Sequence, residues 1–151
     1  MRKKIISSVK SQLSQGTAPE QLSLGLTLGI VFGVLPFPGV TTALLALLVS
    51  IFRLNMAVTQ ITNYAAHPLQ LILYIPFLKL GKFLGNLQGV SVQEVYQTIR
   101  ENVLLGIQHL WVIHLWAVLA WLIVSLPAGF ILFHILRFQL QNYRTRQAQN
   151  L

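Results

Sequence analysis

The chain has 151 residues, of which 54% are hydrophobic and only 9% are charged, whereas soluble domains carry about 25% charged residues. Its net charge of +8 comes from basic residues at the ends and in short breaks between apolar stretches, the pattern of loops beside a bilayer. Because the chain has no Cys and no Asp, thiol chemistry is excluded and a carboxylate metal cage nearly so. We therefore expect an all-α integral membrane protein, not an enzyme, with no catalytic constellation, cofactor or metal.

The N-terminal segment, residues 1–16, is basic and moderately amphipathic. Ile5, Val9 and Leu13 recur every four residues, while lysines, serines and glutamines occupy the other positions. This pattern predicts a short helix on the anionic cytoplasmic leaflet, with a disordered basic leader as the alternative.

The membrane domain, residues 17–138, begins with a helix start. Thr17 and Glu20 have the spacing of a capping box, with Thr17 at the N-cap and Pro19 in the first turn. This helix must stop at the sequence Pro36-Phe37-Pro38-Gly39, because residues that precede a proline are pushed out of the α region. The apolar runs on either side, 22–35 and 40–52, are each about 20 Å long as helices, short of the roughly 30 Å hydrocarbon core.

Residues 18–53 form either a re-entrant hairpin or one broken span. In the hairpin, the N-terminus, Arg53 and the C-terminal tail are cytoplasmic, so that eight Lys and Arg lie inside and three outside. In the broken span, seven Lys and Arg lie inside and four outside. The positive-inside rule therefore favours the hairpin.

Two long transmembrane helices are expected after the hairpin. Residues 56–78 form the first span, which Pro68 and Pro76 interrupt or kink. Residues 79–102 form a polar loop with a short amphipathic interfacial helix, residues 103–138 form the second span, and residues 139–151 form a cytoplasmic tail.

Three glycines mark one face of the first helix. Gly25, Gly29 and Gly33 are spaced by four residues, a small-xxx-small ridge that lets another backbone approach closely. The pattern predicts tight helix packing, and the alternative is that this glycine ridge docks a partner helix.

The break and the following helix supply a candidate polar site. The last carbonyls before the break and the first N–H groups after it lose their helical partners. Gln60, Asn63, His67 and Gln70 share one helical face, the polar stripe, and we expect it to satisfy those groups. Solute contact, or proton relay through His67, is the alternative. The candidate residues are Pro36, Pro38, Gly39, Thr41, Thr42, Asn55, Gln60, Asn63 and His67.

The run from Gly25 to Gly39, the sequence Arg53-Leu54-Asn55 and the pair His67-Pro68 together resemble a bacterial membrane protein family, domain of unknown function 2062 (DUF2062). The resemblance covers residues 21–151. It implies an integral inner-membrane protein and brings no established activity. Where this family has Asn-Pro, the chain has His67-Pro68, and histidine, unlike asparagine, titrates near neutral pH.

The sequence thus predicts a multi-pass protein of the bacterial cytoplasmic (inner) membrane, with both termini cytoplasmic. We expect a small permease-like or lipid-handling protein with a polar site at the broken helix. The alternative is a membrane scaffold or accessory subunit. The expected partners are membrane lipids and either a second copy or a membrane protein. Nucleic acid is not expected, because the positive-inside pattern already accounts for the charge.

Overall fold

A computed structural model describes residues 18–37, 39–87 and 103–149, together with the isolated residues Ser7 and Gln97; the side chains of residues 103–109 and 147–149 are not described. The expected N-terminal helix of residues 1–16, the interfacial helix of the 79–102 loop and Pro38 lie outside these ranges. The described ranges contain four helices: α1 (Pro19–Gly33), α2 (Thr41–Ile51), α3 (Met56–Leu84) and α4 (Val103–Gln149). The protein is all-α, as the sequence predicts.

Helix α1 begins differently from the predicted capping box. Ala18 is the extended N-cap residue, Pro19 occupies the first turn, and no side chain among the described residues caps the helix. Glu20 instead forms an ion pair with Arg137 of α4. The prediction of Thr17 as N-cap is therefore wrong. Proline at the first helical position already has no N–H to satisfy.

The chain breaks between α1 and α2, where the prolines were expected to end the helix. Helix α1 ends at Gly33 and α2 begins at Thr41. Gly39 has φ +91°, a left-handed conformation that glycine adopts without steric cost. The break thus reverses the chain within a few residues.

Helices α1 and α3 run in the same direction and pack through the glycine ridge. Gly25 lies against Thr59, and Gly33 lies against Ala66. Helix α2 must therefore carry the chain back from the end of α1 to the start of α3. Leu45 and Val49 of α2 pack against α1 on this return path. Helices α1 and α2 therefore pack against each other.

The turn between α2 and α3 explains the sequence Arg53-Leu54-Asn55. Arg53 is left-handed, with φ 51°, and the Leu54 N–H donates to the Val49 carbonyl at 2.9 Å, the longer bond of a Schellman cap. The Asn55 side chain then accepts from the Val58 N–H at 3.0 Å and caps α3.

Helix α3 is longer than predicted. It continues through Pro68 and Pro76 to Leu84, six residues beyond residue 78, where the predicted span ends. It stops in a second Schellman cap, where Asn86 has φ 52° and the Leu87 N–H donates to the Lys82 carbonyl at 2.8 Å.

Helix α4 runs antiparallel to α1. Arg137 pairs with Glu20, while the Trp121 indole N–H donates to the Val31 carbonyl at 3.1 Å and Trp111 stacks near Phe37 in the break. The bundle therefore has two ends. The Arg137 end holds Glu20, Arg53, Val58 and Arg137, and the break end holds Phe37 and Trp111.

One helical segment among the described residues, Leu110–Arg146, is long and apolar enough to cross a membrane. Only 22% of its most apolar window is buried in the protein, and its exposed residues include Leu115, Leu126 and Phe130. Most of this apolar surface is therefore not covered by the described part of the protein.

Candidate functional site

The polar stripe of α3 faces the helix break. The Gln70 side-chain amide donates to the Leu35 carbonyl at 2.6 Å. Leu35 is one of the carbonyls that lose their helical partner at the break, so this contact confirms that the stripe satisfies a freed backbone group. Leu35 and Pro36 are both buried, and the Leu35 carbonyl also accepts from the Phe37 N–H at 2.7 Å.

Asn63 is the most deeply buried member of the stripe. Its relative exposure is 0%, and neither its Oδ1 nor its Nδ2 atom has a hydrogen-bond partner. A Cβ atom on Gly33 would lie 3.3 Å from Asn63 Oδ1, so the amide sits directly against the end of α1. An unpaired buried polar group costs about 1–3 kcal/mol in folded proteins. Asn63 thus holds one donor group and one acceptor atom that a polar ligand could satisfy.

Gln60 and His67 flank Asn63 on the same face. Gln60 Nε2 donates to the Thr42 carbonyl at 3.4 Å, which ties α3 to the first turn of α2, whereas Gln60 Oε1 is buried without a partner. His67 Nε2 is also buried without a partner, and its ring lies edge-on to Tyr64, with 5.4 Å between the centroids. The polar stripe of α3 therefore carries four buried polar atoms without a hydrogen-bond partner, namely Gln60 Oε1, Asn63 Oδ1, Asn63 Nδ2 and His67 Nε2.

The structure brings most of the predicted site residues together. Thr41 is buried at 2% exposure, and Thr42 is half-buried beside Gln60. Gly39 is exposed at the turn, and Pro38 lies outside the described residues. Asn55 does not belong to the site, because it caps α3 at the Arg137 end.

The glycine ridge is fully covered by α3. A Cβ atom on Gly29 would lie 2.6 Å from the Thr59 carbonyl oxygen, and one on Gly33 would lie 2.5 Å from Ala66 Cβ. The two backbones approach so closely because neither helix carries a large side chain there. The glycine ridge is therefore not available to a partner helix, and the alternative prediction that the ridge docks such a helix is wrong.

The site is polar but uncharged. Its side chains offer amide, hydroxyl and imidazole groups, and no Lys, Arg, Asp or Glu belongs to the set. Within the described ranges, no three His, Asp or Glu side chains come together as a metal group. Such a set of neutral donors and acceptors can hydrogen-bond an uncharged polar molecule, and it offers no counter-charge to an ion.

Sequence reasoning missed a second close contact between helices. A Cβ atom on Gly81 would lie 2.5 Å from the backbone nitrogen of Ala117, and one on Gly85 would lie 2.8 Å from the Trp116 ring. Near this crossing, Tyr74 Oη lies 2.7 Å from His114 Nε2. The signal was present, because Gly81 and Gly85 have the same four-residue spacing as the ridge. This contact fixes α4 against α3 beside the break.

Comparison with known protein families matches residues 3–149 to a family described as an uncharacterised protein conserved in bacteria, DUF2062. No curated protein and no solved structure matches the chain.

Proposed function

The chain belongs to the DUF2062 family, and for this member we propose a non-enzymatic, permease-like function in the bacterial inner membrane. In this proposal, the break between α1 and α2 and the polar stripe of α3 form a site for a small uncharged polar solute at membrane depth. The observation that carries it is Asn63, which is fully buried with both amide atoms unpaired.

The proposed membrane arrangement is multi-pass. Helices α1 and α2 form a re-entrant hairpin, α3 and α4 cross the bilayer, and both termini are cytoplasmic. The bundle geometry supports this arrangement, because Arg53 shares the end of the bundle that holds Glu20 and Arg137. Lys79 and Lys82 lie near the far end of α3, beyond Gln70 at the break. The positive-inside rule then assigns the Arg137 end to the cytoplasm.

The chemistry of the site supports an uncharged solute. Backbone that leaves the helix at membrane depth is tolerated only where it is buried in protein or lines a watery cavity. Broken helices at such positions form substrate sites in larger transporters. Here Gln70 already satisfies the Leu35 carbonyl, whereas Asn63, Gln60 and His67 keep unpaired atoms. Those spare atoms are the proposed solute contacts.

The proposal is tested by solute flux into proteoliposomes. Vesicles that contain the chain are mixed with glycerol or urea, and their swelling is followed by light scattering. We expect faster swelling than in empty vesicles. We also expect the gain to be lost in Asn63→Leu, which keeps the size and removes the amide.

Thr62→Val is the matched control. Thr62 is buried next to Asn63, but its hydroxyl donates to the Val58 carbonyl of its own helix at 2.8 Å. We expect this variant to keep the flux. Equal swelling of protein-containing and empty vesicles with both solutes, or an equal loss in both variants, would contradict the proposal.

A further inference from the structure

The amide of Asn63 is sealed from solvent in this structure. Its relative exposure is 0%, so that a solute reaches its unpaired atoms only when a neighbouring element moves away. Helix α1 cannot move away easily, because a Cβ atom on Gly29 would lie 2.6 Å from the Thr59 carbonyl oxygen and the two backbones are in direct contact. Helix α4 is held against α3 by the close approach of Gly81 to Ala117. Helix α2 is the remaining neighbour of the polar stripe.

Helix α2 has the smallest packed interface of the four described helices. Its buried residues are Thr41, Leu45 and Val49, which are spaced by four residues along one face. The opposite face is exposed, with Leu47 at 58% and Ile51 at 63%. Because lipid tails are as apolar as leucine, moving such a helix within a bilayer costs packing contacts but little hydrophobic free energy.

The two ends of α2 are held with different strength. At its end, Leu54 is buried in one apolar cluster with Leu45 and Val49, and its N–H donates to the Val49 carbonyl at 2.9 Å. At its start, a hydrogen bond from Gln60 Nε2 to the Thr42 carbonyl ties it to the polar stripe, and the 3.4 Å length of this bond is beyond the usual range. The start of α2 is therefore the end that separates from α3 more easily.

Gly39 supplies a joint between the start of α2 and the fixed part of the break. It is exposed, its φ is +91°, and apart from its chain neighbours no described atom lies within 4 Å of the position that a Cβ would take. The chain before it is fixed, because the Leu35 carbonyl accepts from Gln70 and the Phe37 ring lies 5.5 Å from the Trp111 ring. Rotation at Gly39 therefore moves α2 without breaking these contacts.

We infer that α2 (Thr41–Ile51) is the lid of the polar site. Its first turn swings away from α3 about Gly39 while its end stays anchored at Leu54, and the solute then reaches the unpaired atoms of Gln60 and Asn63. This inference rests on the proposed solute site and adds how that site opens. Such a lid fits the general rule that moving elements are drawn from the less stable parts of a fold.

The first test joins α2 to α1 in a chain that has no native cysteine. Leu28→Cys and Leu45→Cys are combined, because both residues belong to the same packed cluster. A short bifunctional thiosulfonate reagent bridges the two thiols, and dithiothreitol cleaves the bridge. In proteoliposomes, we expect the bridge to abolish the flux of urea and glycerol and dithiothreitol to restore it.

The matched control joins α1 to α4 instead. Leu26 and Leu140 pack in a second cluster, and the bridged pair Leu26→Cys and Leu140→Cys should keep the flux, since this seam stays closed. Flux that survives the α1–α2 bridge, or an equal loss in both bridged proteins, would overturn the lid and leave the solute site standing. Absence of flux in the unsubstituted chain would overturn the solute site and the lid together.

A second measurement follows the helix itself and uses no solute, should the paired cysteines impair folding. Nitroxide labels are attached at Leu126→Cys of α4 and at either Leu44→Cys or Ile51→Cys of α2, all of which replace exposed residues. Double electron–electron resonance in vesicles should give a second, longer distance for Leu44, near the start of α2, and one distance for Ile51, at its end. One distance for both pairs, or the same second distance in both, would overturn the lid.

Discussion

The amide of Gln70 donates a hydrogen bond of 2.6 Å to the carbonyl of Leu35, 35 residues earlier in the chain. Both residues are buried. This bond ties α3 to the break between α1 and α2, where the Leu35 carbonyl also accepts from the Phe37 N–H at 2.7 Å.

Gln70→Leu should therefore destabilise the protein. We expect the free energy of unfolding to fall by about 0.5–1.5 kcal/mol, the net contribution of one hydrogen bond, because the Leu35 carbonyl keeps its bond from the Phe37 N–H. The measurement is a denaturant titration in detergent micelles. Ser50→Ala is the control, because the exposed Ser50 hydroxyl bonds only to the Ala46 carbonyl of its own helix. Equal stability of the Gln70 variant and the parent would contradict the role of this bond.

Gly29→Ala should be among the most harmful alanine substitutions in α1. The new Cβ would lie 2.6 Å from the Thr59 carbonyl oxygen, and this backbone atom cannot move without separating α1 from α3. We expect a loss of about 1–3 kcal/mol, typical of overpacking. Gly129→Ala is the control, because its Cβ would approach side chains and no backbone atom: Val31 Cγ2 at 3.1 Å and Thr27 Cγ2 at 3.8 Å. A smaller loss at Gly29 than at Gly129 would contradict the ridge packing.

Thr27→Val should leave stability unchanged or raise it by about 1 kcal/mol, because the Thr27 hydroxyl is buried without a partner and valine has the same shape. Thr62→Val should lower stability by about 0.5–1.5 kcal/mol, since it removes a buried hydrogen bond to the Val58 carbonyl. Thermal unfolding of the two variants in detergent separates these outcomes. A larger loss of stability for Thr27→Val than for Thr62→Val would show that the Thr27 hydroxyl has a hydrogen-bond partner in the membrane.

The hairpin predicts the sidedness of three exposed positions. Cysteines introduced at Arg53, Arg144 and Asn86, one at a time, have no native thiol to compete with them. A membrane-impermeant thiol reagent should label the first two from the cytoplasmic side and the third from the opposite side. Labelling of Arg53→Cys together with Asn86→Cys on one side would contradict the re-entrant hairpin.

The sequence could predict those features that depend on local chain geometry. Proline and glycine determine the end of α1 and the turn at Gly39, and the four-residue spacing of the ridge predicts one packed face. The position of Gln70 on the stripe predicted its contact with a freed carbonyl. The break, the turn and the packed face follow from backbone sterics and helical period, whereas the Gln70 contact also requires α3 to pack beside the break.

Features set by tertiary contacts were missed. Helix α3 continues past residue 78 to Leu84. Near this end, Gly81 packs against Ala117 of α4. Because this packing stabilises the last turns of the helix, the lysine at position 79 does not end it. Glu20 was assigned to its own helix, whereas its partner Arg137 is more than one hundred residues away. Asn55 and Asn63 have the same side chain. Only the folded structure shows that Asn55 caps a helix and that Asn63 is buried beside the break.

The central claim, that the polar site at the helix break meets water inside the membrane, is tested most directly at Thr41. This residue is 2% exposed and begins α2 at the break. Thr41→Cys is treated in intact membranes with an impermeant thiol reagent from each side. Arg53→Cys serves as the water-facing control, and Leu47→Cys, which is 58% exposed on α2, as the lipid-facing control. We predict that Thr41→Cys is labelled while Leu47→Cys is not. If Thr41→Cys stays unlabelled from both sides while Arg53→Cys reacts, the break is sealed and the proposed permease-like site is wrong.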